Sequence, residues 1–452
     1  MSGWLNSYSR GFQRLLPSPM AIALTLTIVA LISALFVSEP LDVVQAWSDG
    51  LWNPGLMRFG FQAMFMLVLG HVLALSKPVR TALDGVANFA VKQPSNAASY
   101  VAVVAMMLGW VNWGLGLVAG ALIAKVVIDK KVAHAGVVGA AGYAGLLVWH
   151  SGLSGSAPLK VAESGHLAEL YPKGLEWLTP LPDSISISDT IFTFWNLGLT
   201  AVVMVVITGL FLYLGRTVTV AHVDVAPSDM GYEPEIKNIE SVSSFLDYGY
   251  LLSMGFGVFA LGTAVWIACG GAGATWLSFV TPDWINLTLL GLALIVHKNV
   301  AALVGALNKA IGGAAGILLQ FPIYFGIMGV VTGTGLVDVL SSALVSATSN
   351  DTLPLAIFTS SGVLNIFVPS GGGQWAVQGP LVLEACNSIG MSIEKGVMAM
   401  AYGDQWTNML QPFWALPLLG ITGLKAKDIL PYTMAALLVS GVIFMLGLVL
   451  IV

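Results

Sequence analysis

Residues 367–380 read FVPSGGGQWAVQGP, with four consecutive small residues, two prolines and two glutamines inside a chain of long apolar runs. A backbone break in such surroundings is tolerated only where protein buries it or a watery cavity lines it, because hydrocarbon leaves amides unsatisfied. The stretch offers successive N–H groups at Ser370, Gly371, Gly372 and Gly373, directly before a helix expected to begin near Gln374. Small residues let a ligand approach the backbone. A helix N-terminus adds free donors and a partial positive charge. Together they suit an anionic group such as a carboxylate. Glycine as a helix-packing residue is the competing reading, and it leaves Ser370, Gln374 and Gln378 unexplained.

The rest of the chain sets the context. It has 452 residues, 57% hydrophobic and only 9% charged, with mean hydropathy +0.85. A soluble domain carries about 25% charged residues, and a bilayer span needs roughly 20 residues. An all-α polytopic membrane protein follows. A barrel strand alternates over about 10 residues, and MAIALTLTIVALISALF does not alternate. Cys269 and Cys386 border apolar segments and read as core residues, with no disulfide or metal framework. Arg10 and Arg14 precede the first run and imitate a signal peptide. That run, 20–37, is long and lacks a small-x-small cleavage site, so a retained span is expected.

Full spans are expected near 20–37, 56–76, 133–151, 190–214, 250–269, 284–304, 311–331, 397–417 and 430–451. Two further apolar regions, about 98–129 and 354–385, are interrupted at WVNWGLG and at the opening stretch. Each fits a re-entrant helical hairpin. With a cytoplasmic N-terminus and nine crossings, Arg10, Arg14, Lys77, Arg80, Lys92, Lys130, Lys131, Arg216, Lys237, Lys298, Lys309, Lys425 and Lys427 fall inside. Arg58, Lys160, Lys173 and Lys395 fall outside, which satisfies the positive-inside rule and places the C-terminus outside.

The halves resemble each other at a spacing near 257 residues. FQAMFMLVLG parallels LQFPIYFGIMG, Pro94-Ser95-Asn96 parallels Thr348-Ser349-Asn350, and Tyr143 and Tyr402 both open segments that turn polar mid-span. Repeat one is read as 1–215, with its hairpin at about 98–129 and broken span at 133–156. Residues 216–283 form an inter-repeat loop and linking span. Repeat two is read as 284–452, with its hairpin at about 354–385 and broken span at 397–417. An odd number of linking spans inverts the second unit, and inverted repeats with discontinuous helices are a transporter signature.

The tip of the first hairpin, with Asn112 and Gly114, is the counterpart of the opening stretch. His150, Ser151 and Ser154 sit in a Ser/Gly break, and histidine is the side chain suited to complement a carboxylate or carry a proton. In YGDQWTN, Asp404 lies inside a span, where a carboxyl group is retained for pairing, cation binding or proton relay. Gln405 is its neighbour, and Asn408 lies four residues on, on the same helical face. A salt bridge from Asp404 to Lys125 or Lys309 is the bland alternative. His71 and His297 sit at span ends, 79–93 reads as a surface helix, and 160–189 and 217–248 read as loops. No phosphate-binding loop, H-E-x-x-H or Ser/His/Asp arrangement occurs, so neither an enzyme nor a cofactor or metal is expected.

NIFVPSGGGQWAVQGPLVLEA, HSGLSGSAPL, QFPIYFGIMG and AYGDQWTNMLQPFWALP together resemble the short-chain fatty acid transporter family of the AtoE type, over nearly the whole chain. The resemblance implies uptake of carboxylates such as acetoacetate or butyrate across a bacterial inner membrane. It also implies a homodimer with a scaffold and a mobile part, and places substrate and coupling ion at Asn112 to Gly116, Ser370 to Gln374, His150 and Asp404. The expected mechanism is elevator-like symport. The tips, His150, Ser151, Ser154, Gln405 and Asn408 hold the carboxylate, Trp375, Trp406 or Phe413 wall the tail, and Asp404 with His150 takes H⁺. Na⁺ coupling and a gated anion channel stay open as alternatives. Lipid is the other partner, and no nucleic acid is expected.

Overall fold

The computed structural model describes residues 19–170, 181–219, 239–271, 281–336, 351–367 and 371–451, together with Phe279, Val339, Ser346, Thr348 and Ser349. Among them all regular structure is helical. The chain opens with α1 (Pro19–Ala34), α2 (Pro40–Leu51), α3 (Pro54–Leu75) and α4 (Lys77–Lys92). The first hairpin follows as α5 (Ala97–Val111) and α6 (Trp113–Asp129), then α7 (Ala135–Tyr143), α8 (Ser156–Val161), α9 (His166–Leu170) and α10 (Phe194–Thr217). Next come α11 (Val242–Tyr248), α12 (Tyr250–Ala268), α13 (Pro282–His297), α14 (Val300–Ala310) and α15 (Ala315–Gly333). The last group is α16 (Leu353–Phe367), α17 (Gly371–Ile389), α18 (Ile393–Thr407), α19 (Pro412–Thr422) and α20 (Ala426–Ile451).

Local chemistry sets many of these boundaries. Proline occupies the first turn of α2, α3, α13 and α19, where its missing N–H is harmless. Asn53, Asn299 and Thr193 cap α3, α14 and α10 through their side-chain oxygens. By length and composition, Pro94–Val111, Phe194–Thr217, Tyr250–Ala268 and Ala426–Leu450 can each cross a membrane. The run read as one span at 284–304 does not continue straight. It bends by 120° between α13 and α14, where Lys298 takes φ +67 and Asn299 starts a new helix. Residues 79–93 do form a helix, α4, which rests on α6 through Leu83, Ala87 and Ala90.

Helices α1, α2, α3, α12, α13 and α15 pack as one group, and α5, α6, α7, α10, α16, α18 and α20 as another. They meet mainly where α3 lies on α6 and α15 on α17. Small residues bring backbones close, as membrane helices use them. A Cβ on Gly50 of α2 would stand 2.5 Å from Gly329 Cα of α15. A Cβ on Gly70 of α3 would stand 2.8 Å from the Leu115 amide.

The two interrupted regions are helix–break–helix units. Gly116 lies against Gly109 and Gly120 against Ala105, so α5 and α6 run antiparallel. Helices α16 and α17 are joined by side chains: Gln374 Nε2 donates to the Ser361 carbonyl at 2.8 Å, and Ser361 Oγ donates to Gln378 Oε1 at 2.9 Å. The segments after them are also interrupted helices. Helix α7 passes into a 3₁₀ turn, Ala144–Leu147, and then irregular backbone before α8. Helix α18 passes into a 3₁₀ turn, Asn408–Leu410, before α19. In both halves the first hairpin arm crosses the broken span at a glycine. A Cβ on Gly145 would come within 2.5 Å of the Ala105 carbonyl, and one on Gly403 within 2.7 Å of Ser361 Cβ.

Candidate substrate-binding centre

The break after α7 and the end of α18 are held against each other by backbone-directed hydrogen bonds. Gln405 Oε1 accepts the amides of His150 and Ser151 at 3.1 and 3.0 Å. The Tyr143 hydroxyl donates to the carbonyls of Asn408 and Gln411 at 2.8 and 3.0 Å. Asn196 of α10 donates to the Ser151 carbonyl at 3.0 Å and accepts from the Tyr402 hydroxyl at 2.7 Å. Asn365 of α16 donates to the Asp404 carbonyl at 2.7 Å and to Asn408 Oδ1 at 2.9 Å. Irregular backbone thus finds its partners in side chains from both halves of the chain.

At the middle of this lattice His150 Nδ1 lies 3.0 Å from Asp404 Oδ2, with side-chain exposures of 0% and 1%. Apart from this contact, Nδ1 and both carboxyl oxygens have no hydrogen-bond partner among the described residues. On the other ring nitrogen, Nε2 accepts the Ala157 amide at 3.0 Å. That acceptor role assigns His150 as the neutral imidazole protonated at Nδ1. Lys125, one of the two lysines expected as alternative partners of Asp404, pairs instead with Asp129 at 2.7 Å.

Helix α17 points its N-terminus at this pair. It begins at Gly371, three residues earlier than the sequence suggested, so Gly371, Gly372 and Gly373 form its first turn. A Cβ on Gly371 would lie 2.7 Å from His150 Cε1 and 2.9 Å from Asp404 Oδ2. Glycine is needed here because another residue's atoms already fill the space. Gln374 ties α17 to α16, and its Oε1 has no partner among the described residues. Ser370 lies outside the described residues.

The first hairpin tip is built differently. Asn112 Oδ1 accepts the Leu115 amide at 2.8 Å, and Ser154 Oγ accepts the Trp113 amide at 2.9 Å. Two amides at this tip, those of Trp113 and Leu115, are therefore occupied by the protein's own side chains. Ser154 serves as a clamp on α6. Gly114 faces α3, its missing Cβ lying 2.9 Å from Leu67 Cα. Asn112 keeps Nδ2 unpartnered among the described residues, as do Gln405 Nε2 and Asn408 Nδ2. Ser151 Oγ is shared between the Val148 carbonyl at 3.1 Å and Thr200 at 3.3 Å.

The aromatic surroundings also differ from expectation. Trp375 donates to His166 Nε2 at 3.0 Å. Trp406 stacks on Phe358 at 4.9 Å, donates to the Leu437 carbonyl at 2.7 Å, and is wedged against Gly362 and Gly441. The Phe413 side chain lies outside the described ones. The rings beside the pair are Trp149, stacked on His150 at 4.6 Å, then Trp113 edge-on to Trp149 at 6.3 Å, and Trp414 edge-on to Trp113 at 5.1 Å. Only the adjacency of Trp149 to His150 in sequence pointed to them.

Fold and centre together define a multi-pass helical membrane protein with a buried polar centre where two helix tips meet two interrupted helices. A sequence profile described as Short chain fatty acid transporter matches residues 6–451. The chain is 35% identical, over 98% of each chain, to a provisionally named short-chain fatty acid transporter of Escherichia coli (strain K12). It is 32% identical, over 96% of each, to a protein of the same provisional name from Haemophilus influenzae (strain ATCC 51907 / DSM 11121 / KW20 / Rd). The chain belongs to the short-chain fatty acid transporter family. Among solved structures it is similar to the YdaH transporter of Alcanivorax borkumensis, at 14% identity and TM-score 0.49 over 95% of this chain and 98% of that one. It is also similar to MtrF of Neisseria gonorrhoeae, at 13% identity and TM-score 0.48 over 98% and 96%.

Proposed function

We propose that this chain is a secondary active transporter of the bacterial inner membrane that takes up butyrate- or acetoacetate-like monocarboxylates together with one proton. The single observation that carries the reading is the buried His150–Asp404 contact at the N-terminus of α17. A neutral imidazole and a lone carboxyl group make a centre with no fixed cation among the described ion pairs. A substrate carboxylate arriving there meets Asp404, and two ionised carboxylates cannot share a desolvated site. One proton between them removes the conflict, so the acid and the proton travel together.

The rest of the proposal follows from the repeat pattern. The Gly145–Ala105 and Gly403–Gly362 crossings recur near the 257-residue spacing, which supports two inverted units with re-entrant hairpins. In that arrangement the N-terminus is cytoplasmic and the C-terminus outside. Alternating access is an elevator-like shift of the hairpin-bearing group against α1–α3 and α12–α15, in a homodimer.

The test is uptake of labelled butyrate into proteoliposomes, with pH and Na⁺ gradients imposed separately. Accumulation against the butyrate gradient under an inward proton gradient is expected. Accumulation driven by Na⁺ alone would replace the proton with sodium, and flux that only equilibrates would make the protein an anion channel.

A further inference from the structure

Trp149 is the side chain at the centre that neither the hydrogen-bond lattice nor the proton coupling uses. It is 4% exposed, and its indole Nε1, a donor with no acceptor capacity, has no partner among the described residues. Buried tryptophans ordinarily find an acceptor for this group. Its ring is fixed on three sides: it stacks on His150 at 4.6 Å with planes 24° apart, meets Trp113 edge-on, and reaches Gly371, whose Cβ would lie 2.7 Å from Trp149 Cη2.

The donors around Asp404 are few. His150 Nδ1 faces Asp404, and Nε2 is filled by the Ala157 amide. The first hairpin tip has given the Trp113 and Leu115 amides to Ser154 and Asn112. The buried side-chain donors left without a partner in these segments, among the described residues, are Trp149 Nε1, Trp110 Nε1, Gln405 Nε2, Asn112 Nδ2 and Asn408 Nδ2, and of these residues Trp149 is the one whose ring stacks on His150 and reaches Gly371. Beyond Trp149, the edge-to-face sequence through Trp113 to Trp414 is a run of large, closely set rings. Close-packed aromatics of this kind do not yield to an extra methylene without strain.

We propose that Trp149 determines substrate selection, its indole N–H donating to the substrate carboxylate while its ring, with Trp113 and Trp414, stops the acyl tail at short length. The assignment rests on the monocarboxylate reading above. It separates two properties: the N–H sets affinity for the carboxylate whatever the tail, and the ring wall sets which tails fit.

The experiment is proteoliposome uptake and equilibrium binding of labelled acetate, butyrate and hexanoate by the full chain, the Trp149→Phe variant and the Trp414→Leu variant. Unfolding midpoints in detergent are measured in parallel. Trp149→Phe keeps an aromatic ring on His150 but removes the donor together with part of the indole, so acetate, too short to meet the ring wall, reads the donor alone. KM is expected to rise about ten-fold or more for acetate and butyrate alike, as loss of a hydrogen bond to a charged group does. Trp414→Leu is expected to raise hexanoate uptake relative to butyrate. Trp149→Phe with wild-type KM overturns the assignment, and so does a lowered unfolding midpoint with KM unchanged, since that marks packing alone. Wild-type protein that binds none of the three acids removes the functional reading itself, and this assignment with it.

Discussion

His150 and Asp404 come from opposite halves of the chain, yet Nδ1 and Oδ2 lie 3.0 Å apart, and the next residue, Gln405, receives the amides of His150 and Ser151. The break in one half is thus completed by a helix of the other. Replacing Asp404 with Asn keeps the volume and removes the titratable group. Concentrative uptake of butyrate under a proton gradient is expected to vanish, while exchange of labelled for unlabelled butyrate persists. Undiminished accumulation by Asp404→Asn would remove the carboxyl group from the coupling step.

Gly371 and Gly85 make a matched pair of glycine tests. A methyl at Gly371 would meet His150 Cε1 at 2.7 Å and Asp404 Oδ2 at 2.9 Å, whereas one at Gly85 meets nothing within 4 Å. Gly371→Ala is expected to abolish uptake at normal expression. Gly85→Ala, in the middle of α4, is expected to leave uptake intact and add about 0.4–1 kcal/mol of stability. Equal behaviour of the two variants in transport would contradict the crowding at α17.

Ser154 clamps the first hairpin tip. Ser154→Ala leaves the Trp113 amide buried without its acceptor, a loss of about 1–3 kcal/mol. A lower unfolding midpoint is expected, with the chain-length ranking of substrates unchanged. A shift in that ranking would instead put the Ser154 hydroxyl on the substrate.

Gly145 and Gly403 carry the crossings of arm and broken span. Alanine at either position forces its Cβ to within 2.5 Å of the Ala105 carbonyl or 2.7 Å of Ser361 Cβ. Overpacking of this kind destabilises by about 1–3 kcal/mol. Both variants are expected to unfold at lower temperature by similar amounts, read from thermal melts in detergent. A large effect at one and none at the other would break the parallel between the halves.

Much of this architecture is legible in the sequence because a membrane setting makes polar and glycine residues conspicuous. The interruption at Asn112, the Ser/Gly run after His150 and the carboxyl group at Asp404 all stand out against apolar flanks, and all three lie at the centre. What periodicity does not carry is long-range pairing. Nothing local tells that Gln405 caps the His150 break, or that Ser154 occupies the Trp113 amide, because each partner is set by packing. Tryptophans are the least legible residues. Trp375 and Trp406 sit within the conspicuous segments, yet their N–H groups are drawn to His166 and to the Leu437 carbonyl. The bend at Lys298 is equally hidden, since an apolar run gives no sign of a left-handed residue at its end.

The Ala157 amide is seated on His150 Nε2 at the very start of α8. That bond fastens the ring beside Asp404 to the α8 entrance, which cannot swing away from the carboxyl group while the bond is kept. The histidine works as a latch whose bolt is a piece of main chain.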